Sequence, residues 1–278
     1  MGKGRREIIQ TLRKQGVVLI MTGVFGRYAE YYDILYQDKD YEKECDFLEE
    51  IFSKYSEKHV KSILEGGCGT GGHAIPLAKR GYRYVGFDTS EIMIERAKEK
   101  ARSSNIDVDF QVMDLRDFQL DEKFDASICM FAVIDYITET EDVLKALRNI
   151  RRHLKENSLF VFDFWNGLAV LRILPSVRVK IMEDEGIKII RTVEPELDAF
   201  NHISKSHYKM IVIKNGKVID EIEETHVIRF YFPQEIKHYL EEAGFELLNI
   251  CPFMDLNGKV NENIWNIVAI AKAVGEEE

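Results

Sequence analysis

The 278-residue chain predicts an α/β fold, a doubly wound and mostly parallel sheet that carries an inserted antiparallel β lobe. Three observations predict it. Strand-like and helix-like segments alternate five times up to Trp165, the pattern of a parallel sheet with helices on both faces. A glycine-rich turn at residues 62–72 follows the first of those strands. Beyond residue 177 the helical period gives way to period-two segments, as in an antiparallel sheet.

The elements follow in order. Residues 1–20 form a basic amphipathic extension, with Lys3 to Arg6, Arg13 and Lys14 as its cationic cluster, and are expected to be dispensable. Tyr28, Tyr32 and Tyr36 then fall at four-residue spacing on one helical face, a packing stripe or a lid over a ligand. Phe47, Leu48, Ile51, Phe52 and Tyr55 give the segment from Lys43 one apolar helical face. After the glycine turn, His73 to Arg80 reads as a helix closed by Gly81, and Tyr84 to Phe87 as a strand ending in Asp88. Helices Ile92 to Ala101 and Val143 to Leu154 alternate with strands at Phe124 to Phe131 and Leu159 to Trp165.

The insert, residues 166–232, contains strands expected at 177–182, 187–193, 205–214 and 218–230. They are separated by Glu-Asp-Glu-Gly, Pro-Glu-Leu-Asp and the hairpin signal Lys-Asn-Gly-Lys. Residues 233–278 complete the core that occupies 21–165. There, Pro233 opens a helix through Ala243, Gly244 stops it, and strands 245–252 and 264–273 close the main sheet.

The turn itself indicates a ligand. Glycine at Gly67, Gly69 and Gly71 lets backbone N–H groups approach it, and Glu65 stands at the lip. Asp88, roughly twenty residues on, ends the next strand where a carboxylate accepts from both hydroxyls of a ribose. The spacing is E-x-G-x-G-x-G rather than the G-x-G-x-x-G of dinucleotide sites, and no Lys-Ser/Thr pair follows as in a phosphate loop. A nucleoside without phosphates fits best.

Glu65 to Gly71 resembles motif I of the class I S-adenosylmethionine (SAM) dependent methyltransferases, and the resemblance continues along the chain. Gln111 to Phe118 resembles the segment after their third strand, Phe124 to Phe131 their fourth strand, and Leu159 to Trp165 their fifth. The resemblance implies a seven-stranded Rossmann-like methyltransferase fold, SAM as cofactor and S-adenosylhomocysteine as product. It implies cofactor contacts from Glu65, Gly66, Gly67, Gly69 and Gly71, and from Asp88 and Thr89. Asp114 is expected at the adenine amino group, with Met113 and Leu115 beside the ring. Met93, Met130, Phe131 and a lid residue, Tyr32, complete the expected set.

Tyr28 to Asp33, Cys129 to Tyr136, Asp163 to Gly167 and the insert together resemble the group that holds nucleotide-sugar N,N-dimethyltransferases and glycine N-methyltransferase-like enzymes. Where the sugar enzymes carry a histidine, this chain has Tyr136. Tyr32, Asp135 and Tyr136 are the expected catalytic groups; Trp165, Asn166, His226 and Arg229 the expected acceptor contacts. An Arg229 facing the cavity would favour an anionic acceptor. Nitrogen is preferred over oxygen as acceptor atom, because an amine need only arrive neutral while a hydroxyl needs a base.

A small-molecule acceptor is what the resemblance implies, and composition weighs against a nucleic acid in its place. With a net charge of −10 and a pI near 5.4, a nucleic-acid partner is disfavoured, since such affinity rests on Lys and Arg neutralising phosphates. An RNA methyltransferase and a SAM-binding protein without transferase activity are the weaker alternatives. The apolar stretch Val17 to Met21 is far below the roughly 18 residues that span a bilayer, and no signal-peptide cleavage pattern accompanies it. Four scattered cysteines, Cys45, Cys68, Cys129 and Cys251, include no C-x-x-C pair, so no metal site and a reducing cytoplasm are expected. Either a monomer or a homodimer fits.

Overall fold

Residues 25–275 are described by a computed structural model; the extension at 1–20 and the segment from Met21 to Val24 lie outside the described residues. Five strands lie in the first part of the chain: β1 (Ser62–Gly66), β2 (Arg83–Asp88), β3 (Asp109–Val112), β4 (Phe124–Cys129) and β5 (Leu154–Trp165). The insert supplies β6 (Arg178–Asp184), β7 (Ile187–Asp198), β8 (Ile203–Lys214) and β9 (Lys217–Arg229), and β10 (Phe245–Pro252) and β11 (Asn266–Ala273) finish the chain. A seven-stranded sheet runs β10-β11-β5-β4-β1-β2-β3, parallel from β3 to β5, with β11 antiparallel to both β5 and β10. Its order reverses between β1 and β4, so their carboxyl ends border the crevice where such sheets bind ligands.

Apolar runs form these central strands because both faces are covered. All of β1 is buried, and its side chains alternate between two cores. Leu64, Phe160 and Phe162 pack on one face with Ile236 and Leu240 of the helix Pro233–Glu242. Ile63, Ile128 and Val161 pack on the other with Leu48, Ile51 and Phe52 of the helix Tyr41–Tyr55, whose N-cap Asp40 accepts from Lys43 N.

The second sheet, β6-β7-β8-β9, is wholly antiparallel. Pro195 to Asp198, expected as a turn, instead continues β7. Pairing with β6 ends at Arg178 opposite Val193, so from Glu194 onward β7 has only β8 beside it. Proline, which lacks a donor, is tolerated on such an open edge. The reversal falls later, where Asp198 accepts from the backbone and side-chain amides of Asn201 and His202 takes a left-handed φ of 58°.

The expected tyrosine stripe is also rearranged. A 3-10 turn, Arg27–Tyr31, precedes a single α-helical turn, Tyr32–Leu35, so the three rings do not share one helix. Arg191 of β7 donates to the hydroxyls of Tyr28 (2.7 Å) and Tyr36 (3.2 Å), which fastens those two rings to the inner face of the insert. Asp33 fastens the same segment to the core, accepting from Thr70 Oγ1 (2.7 Å), Arg96 Nη2 (2.8 Å) and Lys100 Nζ (2.8 Å). Burial alone would raise the Asp33 carboxyl, but these donors hold it below its usual value.

Three residues expected at the acceptor are engaged elsewhere, two of them joining insert to core. Arg229 donates to Thr138 O (3.1 Å), Thr140 Oγ1 (2.9 Å), Tyr239 Oη (2.9 Å) and the Glu235 carboxylate, so its guanidinium is spent on structure. Asn166, fully buried, donates to Asn261 O (3.0 Å) and Ile264 O (2.9 Å) while capping the helix Gly167–Ile173. Trp165 packs edge-on against Trp265, with ring centroids 5.1 Å apart. Each lies outside the cavity described below. Truncating Arg229 to Ala leaves the Glu235 carboxylate without its cation. Arg229→Ala should lose roughly 2–3 kcal/mol of stability in urea unfolding while binding S-adenosylhomocysteine as the wild type does; weakened binding without loss of stability would return Arg229 to the site.

Candidate active site

At the strand tips a cavity of about 490 Å³ lies between the glycine turn, the segments that follow β2, β3 and β4, and the N-terminal lid. That size suits a small organic ligand. The turn leaves β1 with Gly67 at φ 70° and Gly69 at φ 54°. A Cβ on Gly67 would come within 2.5 Å of Val133, whereas one on Gly69, which lines the cavity, would enter open space. Gly66 and Gly71 do not line the cavity. Their close neighbours are Leu115 and Phe110, so they serve packing beneath the turn.

Asp88 ends β2 inside the cavity. One carboxylate oxygen accepts from Gly69 N (3.1 Å) and the other from Ser90 N (2.8 Å), which fixes the plane of the carboxylate against the turn. Burial raises its pKa, and those two N–H groups oppose the shift. Thr89, Met93, Met113 and Leu115 line the wall around it. Asp114 also lines it, held by Arg116 through a pair of bonds (Nε at 2.9 Å, Nη2 at 2.6 Å) that keep its carboxyl below the usual value. Arg116 reaches Asp142 at 3.1 Å as well, so its charge is taken up by two carboxylates at this end of the rim.

At the other end a chain of buried charges was not visible in the sequence. Glu65 accepts from Tyr84 Oη (2.9 Å) and faces His73 Nδ1 (3.2 Å); His73 Nε2 meets Glu44 (2.8 Å), and Glu44 holds Lys39 (2.7 Å). Burial pulls the His73 pKa down, but the two carboxylates raise it overall. Lys39, Tyr41 and His73 all line the cavity, and the Lys39 ammonium sits 4.3 Å above the Phe131 ring. Only the position of His73, two residues past Gly71, marks it in the sequence.

Met130 and Phe131 leave β4 at the cavity wall. Phe131 and Ala132 both take left-handed backbone (φ 77° and 57°), and the Asp163 carboxylate of β5 accepts from both of their N–H groups. Phe25, Tyr32 and Tyr136 form an aromatic wall opposite, with the Phe25 ring 6.1 Å from Tyr32 and 5.6 Å from Tyr136. Burial pushes both phenols well above their usual pKa, so they stay neutral.

Two further expectations are corrected. Asp135 does not line the cavity; it is completely buried, accepts from Trp165 N (2.9 Å), and burial drives its carboxyl strongly toward the neutral form. His226 stands behind the wall rather than in it, with Nδ1 2.9 Å from Tyr136 Oη. Its neighbours on β9, Thr225 and Val227, line the cavity instead. Among the described residues no cluster of His, Cys, Asp and Glu could hold a metal, and no helix is long and apolar enough to cross a membrane.

Residues 63–157, the strands and turn that frame this cavity, match the family model described as a methyltransferase domain. The dTDP-3-amino-3,6-dideoxy-alpha-D-glucopyranose N,N-dimethyltransferase of Streptomyces fradiae is 31% identical over 225 residues, 80% of this chain and 85% of that protein. The dTDP-3-amino-3,4,6-trideoxy-alpha-D-glucopyranose N,N-dimethyltransferase of Streptomyces venezuelae is 29% identical, over 79% of this chain and 90% of that one. Among solved structures, a SAM-dependent methyltransferase from Clostridium acetobutylicum superposes with a TM-score of 0.78 at 22% identity, over 91% of this chain and all of that one. DesVI of Streptomyces venezuelae gives 0.72 at 22% identity over 87% and 97%, and both share the fold. Sequence motif, sheet order and relatives agree: the chain belongs to the class I SAM-dependent methyltransferases, in the group that includes the nucleotide-sugar N,N-dimethyltransferases.

Proposed function

We propose that this methyltransferase methylates an amino nitrogen on a small molecule, with an amino sugar carried on a nucleotide as the acceptor class to test first. The observation that carries this reading is the aromatic lining of Phe25, Tyr32, Tyr41, Phe131 and Tyr136. Aromatic faces stabilise a cation, and a methylated amine leaves as one. The two relatives named above methylate amino sugars by their names, which points to the same atom. The RNA reading has little support at this rim, because Arg116 is already occupied by Asp114 and Asp142.

The lining fits the cofactor. Gly69 opens onto space that any side chain would fill, and Asp88 presents a fixed carboxylate beside it. When bound, SAM supplies an electrophilic methyl group on a sulfonium. Asp88 would hold the ribose hydroxyls, Met113 and Leu115 would flank the adenine beside Asp114, and Glu65 with the Gly67 to Gly69 backbone would hold the methionine end. Phe25 and Tyr32 line this space from the lid side. Positioning the nitrogen in line is then the main task of the protein, because alignment of reactants alone removes a large part of such a barrier.

Asp88→Ala removes a charged acceptor of two hydroxyl bonds and should weaken S-adenosylhomocysteine binding on the order of 100-fold in titration calorimetry; an unchanged affinity would remove Asp88 from the site. The anion is the accepting form and its pKa is raised, so affinity should begin to fall, as pH decreases, above the usual carboxylate range. Asp88→Asn should flatten that dependence. With SAM and dTDP-3-amino-3,6-dideoxyglucose, mass spectrometry should find methyl on nitrogen, whereas methylation confined to the 3-hydroxy analogue would exclude the amine reading.

A further inference from the structure

We propose that Tyr136, His226 and Glu224 form a proton relay that takes a proton from an acceptor ammonium held against the Tyr136 hydroxyl. The inference rests on the amine reading above and adds how the amine becomes a nucleophile inside a closed site. Three contacts define the relay. Tyr136 lines the cavity, and its Oη lies 2.9 Å from His226 Nδ1. His226 Nε2 lies 3.4 Å from Glu224 Oε2. Glu224 in turn accepts from two backbone groups of the lid, Phe25 N at 3.1 Å and Tyr28 N at 3.0 Å.

These contacts fix the tautomer. A carboxylate that already takes two N–H donors can only accept, so the imidazole proton belongs on Nε2 and points at Glu224. Nδ1 is then bare and accepts from the Tyr136 hydroxyl. The order carboxylate, imidazole, hydroxyl is that of a base oriented and polarised from behind. The ring sits in an aromatic box, 4.9 Å from Phe25, 5.6 Å from Tyr28, 4.6 Å from Tyr208 and 5.8 Å from Tyr136. Arg191 approaches from β7 but donates to Tyr28 and Tyr36 and lies over the Tyr208 ring. Glu224 is therefore the carboxylate that meets the imidazole directly.

The step balances. An ammonium R–NH3+ gives one proton to the Tyr136 oxygen as the tyrosine's own proton passes to His226 Nδ1, leaving R–NH2 with a free electron pair and an imidazolium beside the Glu224 carboxylate. Tyrosine is neutral before and after, which suits a phenol whose burial resists ionisation. A singly methylated amine, again charged, meets the same relay. Because Glu224 also accepts from the lid backbone at Phe25 N and Tyr28 N, the lid orients the carboxylate behind His226, and the imidazolium returns its proton to solvent between turnovers.

The test combines a structural and a kinetic readout on the full chain. In the S-adenosylhomocysteine complex, 15N-histidine NMR should report His226 with its proton on Nε2 at neutral pH, and Tyr136→Phe should shift that resonance pattern. With SAM and dTDP-3-amino-3,6-dideoxyglucose, His226→Asn should lower kcat on the order of 10²-fold, keep KM, and remove the fall of kcat on the acid side. Glu224→Gln should give the same profile if its lid contacts persist, as judged by unchanged S-adenosylhomocysteine affinity. A His226 proton on Nδ1, or a kcat–pH profile for His226→Asn that overlays the wild type, would overturn the relay. If the wild type binds S-adenosylhomocysteine yet leaves this amine unmethylated, the amine reading fails, and the tautomer alone decides whether the relay exists.

Discussion

Asp33 stands where three separate parts of the chain meet: the lid that carries it, the glycine turn through Thr70, and the helix Glu91–Ser103 through Arg96 and Lys100. On its own, a turn of 3-10 helix followed by one turn of α-helix is too short to persist in water. The lid exists as structure because Asp33 ties it to the core while Glu224 and Arg191 tie it to the insert. The enclosure of the cavity follows from that double attachment. So does the placement of Tyr32 and Phe25, whose rings close the space above the strand tips. Neither sheet alone would make this site.

Local signals and distant ones divided sharply between sequence and structure. The glycine turn, Asp88 and the β4 exit were readable because one βαβ unit sets their spacing and each strand delivers its last residue to the same edge. Arg229 and Asn166 were not readable in the same way. Their partners, Glu235 and Tyr239 for one and Asn261 and Ile264 for the other, lie on elements whose docking no local pattern specifies. On β9, reading alternate residues could not say which face met the cavity, and Thr225 and Val227 took the place assigned to His226. No local pattern marks the charge chain through His73, because Lys39 and Glu44 join it from before the first strand.

Two carboxyls beneath the site oppose stability at neutral pH. Asp135 and Asp163 are buried, and burial raises the pKa of both. A group whose pKa is raised on folding favours the folded state below its unfolded value, and that contribution is lost as pH rises through the folded value. Asp135 lies in the 3-10 turn Ile134–Tyr136 beyond β4 and Asp163 in β5, and the retention of Asp163 is understandable because it shapes the cavity wall by holding two N–H groups. Asp135 does the corresponding service for the end of β5 through Trp165 N.

The consecutive left-handed residues Phe131 and Ala132 have an implication for how this enzyme can change. Left-handed backbone is costly for residues with side chains and nearly free for glycine, so a glycine at either position is an available step toward a sturdier protein. That step is not neutral for the site: it would erase the ring beneath Lys39 or loosen the loop that presents it. Selection for heat tolerance and selection for turnover should therefore pull these two codons in opposite directions, making them a poor place to borrow stability and an informative place to look for lineages that have given up the original acceptor.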